Sequence, residues 1–375
     1  MMKTGKKRLG IIFGGRSSEH EVSIVSAKSI LGVIDTSIYD VELIGITRQG
    51  GWLVGSDAKS LLEGKTITSR ERLYIPATPR EGRLALVTRQ KDASFVRLLE
   101  KLDVVFPVLH GPYGEDGTIQ GLLEMAGIPY VGAGVAASAV GMDKILMEDI
   151  FDANNLPTLE SIHFTRKFWR KNRKTVFEVM QLRLGYPCFV KPANTGSSVG
   201  ITKVHAQEGL EDAVDYAAEF DRKVLVQKGI DAREIECSVL GNDDPETSVP
   251  GEIVPSREFY DYNAKYVDGT SKLIIPAKLP KKTAKEIQEL AVSAYKAIDC
   301  AGMARVDFFL ERNTGYIYIN EVNTIPGFTS ISMYPKLWEV SGIPYPELVK
   351  KLIDLAFERF EDKANCKTTY TPPGK

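Results

Sequence analysis

Arg305-Val306-Asp307-Phe308-Phe309 and Tyr318-Ile319-Asn320-Glu321-Val322-Asn323 are two alternating runs flanking Asn313-Thr314-Gly315. The pattern predicts a β-hairpin. Side chains on a strand alternate faces, so Arg305 and Asp307 share one face of the first strand, and Glu321 and Asn323 one face of the second. A turn centred on Thr314 sets Asp307 opposite Glu321 and Arg305 opposite Asn323. Two carboxylates side by side repel each other, so a positive group is expected between them. Oxygen ligands with a carboxamide suit a hard cation such as Mg²⁺ or Mn²⁺. The same pattern also describes a solvated strand face with a surface ion pair, and from this segment both readings stand.

A second candidate is Val190 to Gly200, VKPANTGSSVG. Lys191 closes an apolar run directly before a glycine-serine loop, and lysine is a flexible point charge suited to phosphate. Gly196, Ser197, Ser198 and Gly200 could bring backbone amides close to an anion. A flexible hairpin with an exposed lysine has the same sequence. Two other phosphate patterns fail. Gly64-Lys65-Thr66 ends like a P-loop, but Lys59 stands where glycine is needed. Gly132-Ala133-Gly134 with Ala137 imitates a dinucleotide fingerprint, yet its strand is very short and no clear ribose acid follows.

Composition narrows the class. At 375 residues the chain exceeds one typical core, which predicts two or three domains. Net charge is −1, with no basic surplus for general nucleic-acid binding. The basic start MMKTGKKR precedes an apolar run, Leu9 to Phe13, too short for a signal-peptide core. No apolar run approaches the ~18 residues of a membrane span. Cys188, Cys237, Cys300 and Cys366 are scattered, and His20, His110, His163 and His205 show no metal-ligand spacing. Reduced thiols and a cytoplasmic location are therefore expected.

The elements that must position these residues fall into three regions. Residues 1–140 read as an open α/β domain. Strands are predicted at Leu9–Phe13, Val41–Ile46, Val104–Val108 and Ile128–Val131, with helices after Ser17-Ser18-Glu19 and over Thr118–Met125. Residues 141–229 read as an α+β unit that begins with a helix over Asp143–Ala153. Strands at Cys188–Lys191, Ile201–Val204 and Lys223–Gln227 and a helix at Glu208–Phe220 follow. Residues 230–375 hold strands at Glu234–Leu240 and Lys272–Ile275, a helix at Thr283–Ile298, the hairpin, and a last helix at Tyr345–Phe360. Residues 256–272 are polar, aromatic and aperiodic, as a lid would be.

Taken in order, these segments resemble the ATP-grasp enzymes, in which two α+β domains clasp ATP, and within them the D-alanine–D-alanine ligase family. GGRSSEHEVS, LHGPYGEDGTIQG, MDK, VKPANTGSSVG, AREIECSVLG, EFYDYNAKY, ARVDFF and NEVNTIPGFTS all fit that family, from Gly14 to about Leu355. The resemblance implies that Lys144, Lys191 and Ser198 meet the ATP phosphates, Gln227 the adenine, Glu234 the ribose, and Lys265 the γ-phosphate. It implies that Asp307, Glu321 and Asn323 hold two Mg²⁺ (or Mn²⁺) ions. Arg305 and the Gly327 amide would stabilise charge on the reacting acyl group. Glu19, with His110 nearby, would bind the ammonium of a first D-alanine. Ser332 and the Met333 amide would bind the carboxylate of the second. Glu19, Ser197 and Tyr266 would tie the lid to both other domains. D-alanyl-D-lactate ligases of the vancomycin-resistance type carry histidine in place of the lid tyrosine. Tyr266 after Lys265 therefore favours D-alanine as second substrate, with D-lactate or D-serine as runner-up. A non-catalytic ATP-binding protein of this fold is the alternative from another class. The resemblance further implies a homodimer formed largely through the N-terminal domain.

Overall fold

The computed structural model of the protein describes residues 5–67, 71–78, 83–89, 94–255 and 272–370. The first region is built on a four-stranded sheet. Strands β1 (Lys7–Gly14) and β2 (Tyr39–Ile46) are parallel, and β3 (Trp52–Val54) pairs antiparallel with β2. A separate antiparallel sheet follows, β4 (Glu71–Tyr74), β5 (Arg83–Arg89) and β6 (Ser94–Lys101), before β7 (Val104–Val108) returns to pair parallel with β1. Leu9, Ile11 and Phe13 of β1 face one apolar cluster and Ile12 another. Both faces of this sheet are thus covered, and its central strand reads as a continuous apolar run. Ile128–Val131, expected as a strand, contributes only a single bridge, Tyr130 to Val105. Pro129 lacks a backbone N–H, which leaves the segment one donor short of a ladder.

In the second region β8 (Ser161–Thr165), β9 (Cys188–Pro192), β10 (Thr202–Val204) and β11 (Lys223–Lys228) form an antiparallel sheet in the order β10-β9-β11-β8. Helix Leu210–Phe220 buries Leu210, Ala213, Val214 and Ala217 against it, an i, i+3, i+4, i+7 stripe. Helix Lys144–Ala153 is capped by Asp143, whose side chain accepts from the amides of Ile145 and Leu146.

The third region adds β12 (Ala232–Gly241), β13 (Glu246–Thr247), β14 (Gly251–Val254), β15 (Lys272–Ile274), β16 (Gly302–Glu311) and β17 (Ile317–Asn323). The sheet order is β15-β14-β12-β16-β17, with β13 beside β12. Alternation along β16 sends Ala304, Val306, Phe308 and Leu310 into a core under helix Lys281–Ala297, leaving Arg305 and Asp307 on the opposite face. The turn-to-site register is correct where it matters: Arg305 pairs with Asn323 and Asp307 with Glu321. Beyond that the symmetric turn fails, because Phe308 pairs with Ile319 rather than Asn320. Asn320 is the extra residue of a β-bulge, a device that re-aims side chains beside a site. No helix among the described residues is long and apolar enough to cross a membrane.

Candidate active site

Two cavities meet at the polar face of the third sheet. The larger, about 520 Å³, lies between the second and third sheets; Lys144, Lys191, Ser198, Gln227, Glu234, Asp307 and Glu321 are among the residues lining it. That volume lies in the range of small-molecule sites. The smaller, about 100 Å³, is bounded by Glu19, His110, Glu115, Arg305, Gly327, Ser332 and Met333. Ser197, Glu236 and Glu321 line both, so a ligand in one is adjacent to a ligand in the other. Lys265 and Tyr266 lie outside the described residues.

Charge in the larger cavity is arranged in opposed groups. The Lys144 ammonium lies 3.7 Å from Glu321 Oε2 and donates to the Thr195 carbonyl at 2.8 Å. Its helix is oriented by Asp143, which also pairs with Lys223. The Lys191 ammonium, 6% exposed, donates to Gln227 Oε1 at 2.7 Å. Gln227 Nε2 in turn donates to Glu148 Oε1 at 2.8 Å, and Ser161 Oγ donates to Glu148 Oε2 at 2.6 Å. Burial, reinforced by the neighbouring Lys144 charge, pulls the Lys191 ammonium down to about 8. Burial also raises the Glu148 carboxyl. Gln227 is thus held at both ends of its amide.

Arg305 sits between acids. Its Nε donates to Asp307 Oδ1 at 2.7 Å and its Nη2 to Asp307 Oδ2 at 2.6 Å, while Nε also lies 3.0 Å from Glu236 Oε2. Burial works to lower the guanidinium, but Asp307, Glu236 and Glu321 outweigh it and hold it firmly charged. Asn323 Nδ2 donates to Asp307 Oδ2 at 3.0 Å. Among the described residues no three acidic, histidine or cysteine side chains converge on a point that would hold a metal alone. Asp307, Glu321 and Asn323 offer oxygen donors only. That set fits a hard cation that takes its remaining oxygens from substrate phosphate and water.

The smaller cavity joins the first region to the other two. Ser197 Oγ donates to Glu19 Oε1 across 178 positions of sequence. A Cβ on Gly111 would lie 2.6 Å from Glu19 Oε2, and one on Gly196 2.8 Å, so both glycines make room for that carboxylate. His110 Nδ1 lies 3.2 Å from the Ile325 carbonyl, which can only accept, so Nδ1 carries the proton; Nε2 then accepts from Ser26 Oγ at 3.1 Å. Burial lowers His110 to about 4, partly offset by the Ile325 bond, so the ring is neutral. Ser332 precedes helix Met333–Val340 as its N-cap residue, which puts the Met333 amide at a helix N-terminus suited to a carboxylate.

Every predicted site residue within the described region lines one of the two cavities. Three buried or recessed acids carried no predicted role. Glu236 faces Arg305, Glu148 fixes Gln227, and Glu115 accepts from the Gly111 amide at 2.5 Å. Burial and the nearby Glu19 charge push the Glu115 carboxyl well above the usual carboxylate range. The alternation Glu234-Ile235-Glu236 places Glu236 on the same face as Glu234, which was the available signal.

Comparison with known proteins shows the family. Residues 8–133 match the D-ala D-ala ligase N-terminus family and residues 150–354 the D-ala D-ala ligase C-terminus family. The chain belongs to the D-alanine–D-alanine ligase family, with the ATP-grasp fold. A D-alanine–D-alanine ligase of Acetivibrio thermocellus is 52% identical over 369 residues, covering 95% of this chain and 97% of that protein. Among solved structures, the VanG D-Ala:D-Ser ligase of Enterococcus faecalis is 37% identical, with a TM-score of 0.82 over 94% of this chain and all of that one. The Coxiella burnetii D-alanine–D-alanine ligase is 34% identical, with a TM-score of 0.78 over 96% of each chain.

Proposed function

We propose that the protein is an ATP-dependent ligase that joins two D-alanine molecules into D-alanyl-D-alanine for peptidoglycan precursor synthesis. The observation that carries this reading is the junction of the two cavities at Ser197, Glu236 and Glu321, beside Arg305. A nucleotide-sized space there meets a space for a small amino acid.

In the first step the carboxylate of one D-alanine attacks the γ-phosphorus of ATP. An O–P bond forms, the bond to the β-phosphate bridging oxygen breaks, and ADP leaves. In the second, the amine of another D-alanine attacks the acyl carbon of the D-alanyl phosphate. A C–N bond forms, the C–O bond to phosphate breaks, and the proton the amine gives up passes to the departing phosphate or to water. Glu19 takes the ammonium of the first D-alanine, while Ser332 and the Met333 amide take the carboxylate of the second. Arg305 and the Gly327 amide face the charge that develops at the acyl group, where fixed donors act most strongly. Lys144 and Lys191 hold the phosphates, Ser198 borders them, Gln227 and Glu234 border the base and ribose, and Lys265 and Tyr266 complete the lid. Asp307, Glu321 and Asn323 would hold two Mg²⁺ or Mn²⁺ ions, which supply charge neutralisation of the triphosphate. The domains run over about 1–140, 141–229 and 230–375, and the protein works as a cytoplasmic homodimer.

A second reading concerns the second substrate. Likeness to the Enterococcus faecalis D-Ala:D-Ser ligase makes D-serine the rival. Phosphate release with ATP and Mg²⁺, measured across D-alanine, D-serine, D-lactate and the L-isomers with the product identified, decides between them. D-Ala-D-Ala is the expected main product near neutral pH. A main product of D-Ala-D-Ser or D-Ala-D-lactate overturns the substrate claim, and no ATP turnover overturns the enzyme claim.

A further inference from the structure

The acids of the site form a row that spans three strands. Glu236 on β12 pairs with Asp307 on β16, and Asp307 with Glu321 on β17. The adjacent row is Ser238, Arg305 and Asn323. Like charges directly opposite one another are destabilising. In this structure one guanidinium serves two of the three acids, with Arg305 Nε 2.7 Å from Asp307 Oδ1 and 3.0 Å from Glu236 Oε2. Glu236 is 5% exposed and lines both cavities.

This arrangement sets up a competition. Asp307 gives both of its oxygens to Arg305. With the Asn323 Nδ2 bond, these take three of the roughly four acceptor positions of the carboxylate, so a divalent cation at Asp307 competes with the guanidinium. A cation at Asp307 therefore loosens Arg305, and the guanidinium needs another anchor to stay at the wall between the cavities. We infer that Glu236 is a positioning residue, which retains the Arg305 guanidinium at that wall when Asp307 turns to a divalent cation. The inference rests on the function proposed above. It assigns Glu236 no contact with substrate: Glu236 acts through Arg305. Without it, Arg305 either stays on Asp307 and hinders the cation, or swings free and costs the acyl centre its fixed positive charge.

The test uses the full-length protein and three variants, Glu236→Gln, Arg305→Met and the double substitution. In phosphate-release kinetics with ATP, Mg²⁺ and D-alanine, Glu236→Gln is expected to lower kcat about ten- to hundredfold, less than the roughly hundred- to thousandfold cost of removing an oxyanion donor outright, because Arg305 is still present. The KM for ATP should change less than about threefold, since Glu236 does not hold the nucleotide. A second readout is Mn²⁺ titration in the presence of ADP, followed by electron paramagnetic resonance. Glu236→Gln should weaken Mn²⁺ binding about three- to tenfold, because Arg305 then remains on Asp307; in the Arg305→Met background it should change it less than about twofold. An equal loss in both backgrounds overturns the inference and makes Glu236 a direct metal ligand. Unchanged kcat also overturns it. Should Glu236→Gln fail to fold, Glu236→Asp keeps the charge but shortens the reach, and wild-type kcat in that variant overturns the inference. If the wild-type protein does not turn over D-alanine, the functional reading fails, while the Mn²⁺–ADP cycle still tests the coupling of Glu236 to Arg305.

Discussion

If Lys191 holds the nucleotide phosphates as proposed, nucleotide binding is expected to be sensitive to pH in the mildly alkaline range. The ammonium is 6% exposed, donates to Gln227 at 2.7 Å and stands near Lys144. Burial first, and Lys144 second, move it from 10.5 to about 8, against the pull of Glu148, Glu321 and Glu234. That displacement corresponds to about 3 kcal/mol against the charged form. Two consequences of opposite sign follow. For folding, the native value lies below the unfolded one, so the penalty is fully present below pH 8. It is relieved as pH rises from about 8 to 10.5, where the unfolded chain holds more protons and stability from this group increases. For ATP, the proposed contact with the phosphates requires the charged form. At pH 9, one unit above the native value, about one-tenth of Lys191 is protonated, so nucleotide affinity should fall about tenfold from its pH 7 level. Calorimetric titration with ADP and Mg²⁺ at pH 7, 8 and 9 measures this without the titrating amine of D-alanine. Lys191→Arg, charged throughout, should bind more weakly but lose the pH dependence. Flat wild-type affinity from pH 7 to 9 would refute the reasoning.

Four further outcomes are expected. Glu321→Gln should cut phosphate release by more than about a hundredfold while circular dichroism and thermal midpoint stay near wild type, since it removes transition-state charge rather than core packing. Chelation with EDTA should abolish turnover and leave the unfolding temperature of the ligand-free protein unmoved; a large drop in that temperature would point to a structural metal instead. Ser197→Ala removes the contact with Glu19 and should lower kcat/KM for D-alanine by about ten- to hundredfold, the scale of a misplaced positioning group, with KM for ATP nearly unchanged. Gly14→Ala places a Cβ 2.2 Å from the Ile46 carbonyl oxygen at a φ of +91°, and should cost more than about 2 kcal/mol in urea unfolding.

Sequence reading reached the features set by near neighbours. The hairpin closes over a short turn, so its pattern alone brings Arg305 to Asn323 and Asp307 to Glu321. The capped helix Lys144–Ala153 and the strand Cys188–Pro192 were equally plain. Helix Val135–Met142 was missed because its residues, VAASAVGM, are small and carry no polar face. Helix Met333–Val340 was missed because Pro335 reads as a breaker, although proline is tolerated in a first turn, where N–H groups lack helical partners. The sheet β4-β5-β6 was missed too: Ser94–Lys101 is mostly exposed on both faces, which weakens the alternation that marks a half-buried strand.

Partners in the site that pair over long separations escaped for a different reason. Nothing local to Glu236 says that β12 lies beside β16 in a register that sets it against Asp307. Nor does Asn320 announce itself as a bulge, though its presence alters the pairing of every residue from Phe308 to the turn. The site also holds backbone that no propensity favours. Ser197 and Ser198 are consecutive non-glycine residues with φ of +49° and +59°. Each such residue typically costs on the order of 1 kcal/mol or more. Glycine at both would relieve that cost but remove the hydroxyl that Ser197 donates to Glu19. The strained pair is therefore best understood through the contact it makes, in which a loop of the second region reaches the first and closes the wall shared by the two cavities. Local preference conflicts here with a long-range contact, and the fold follows the contact.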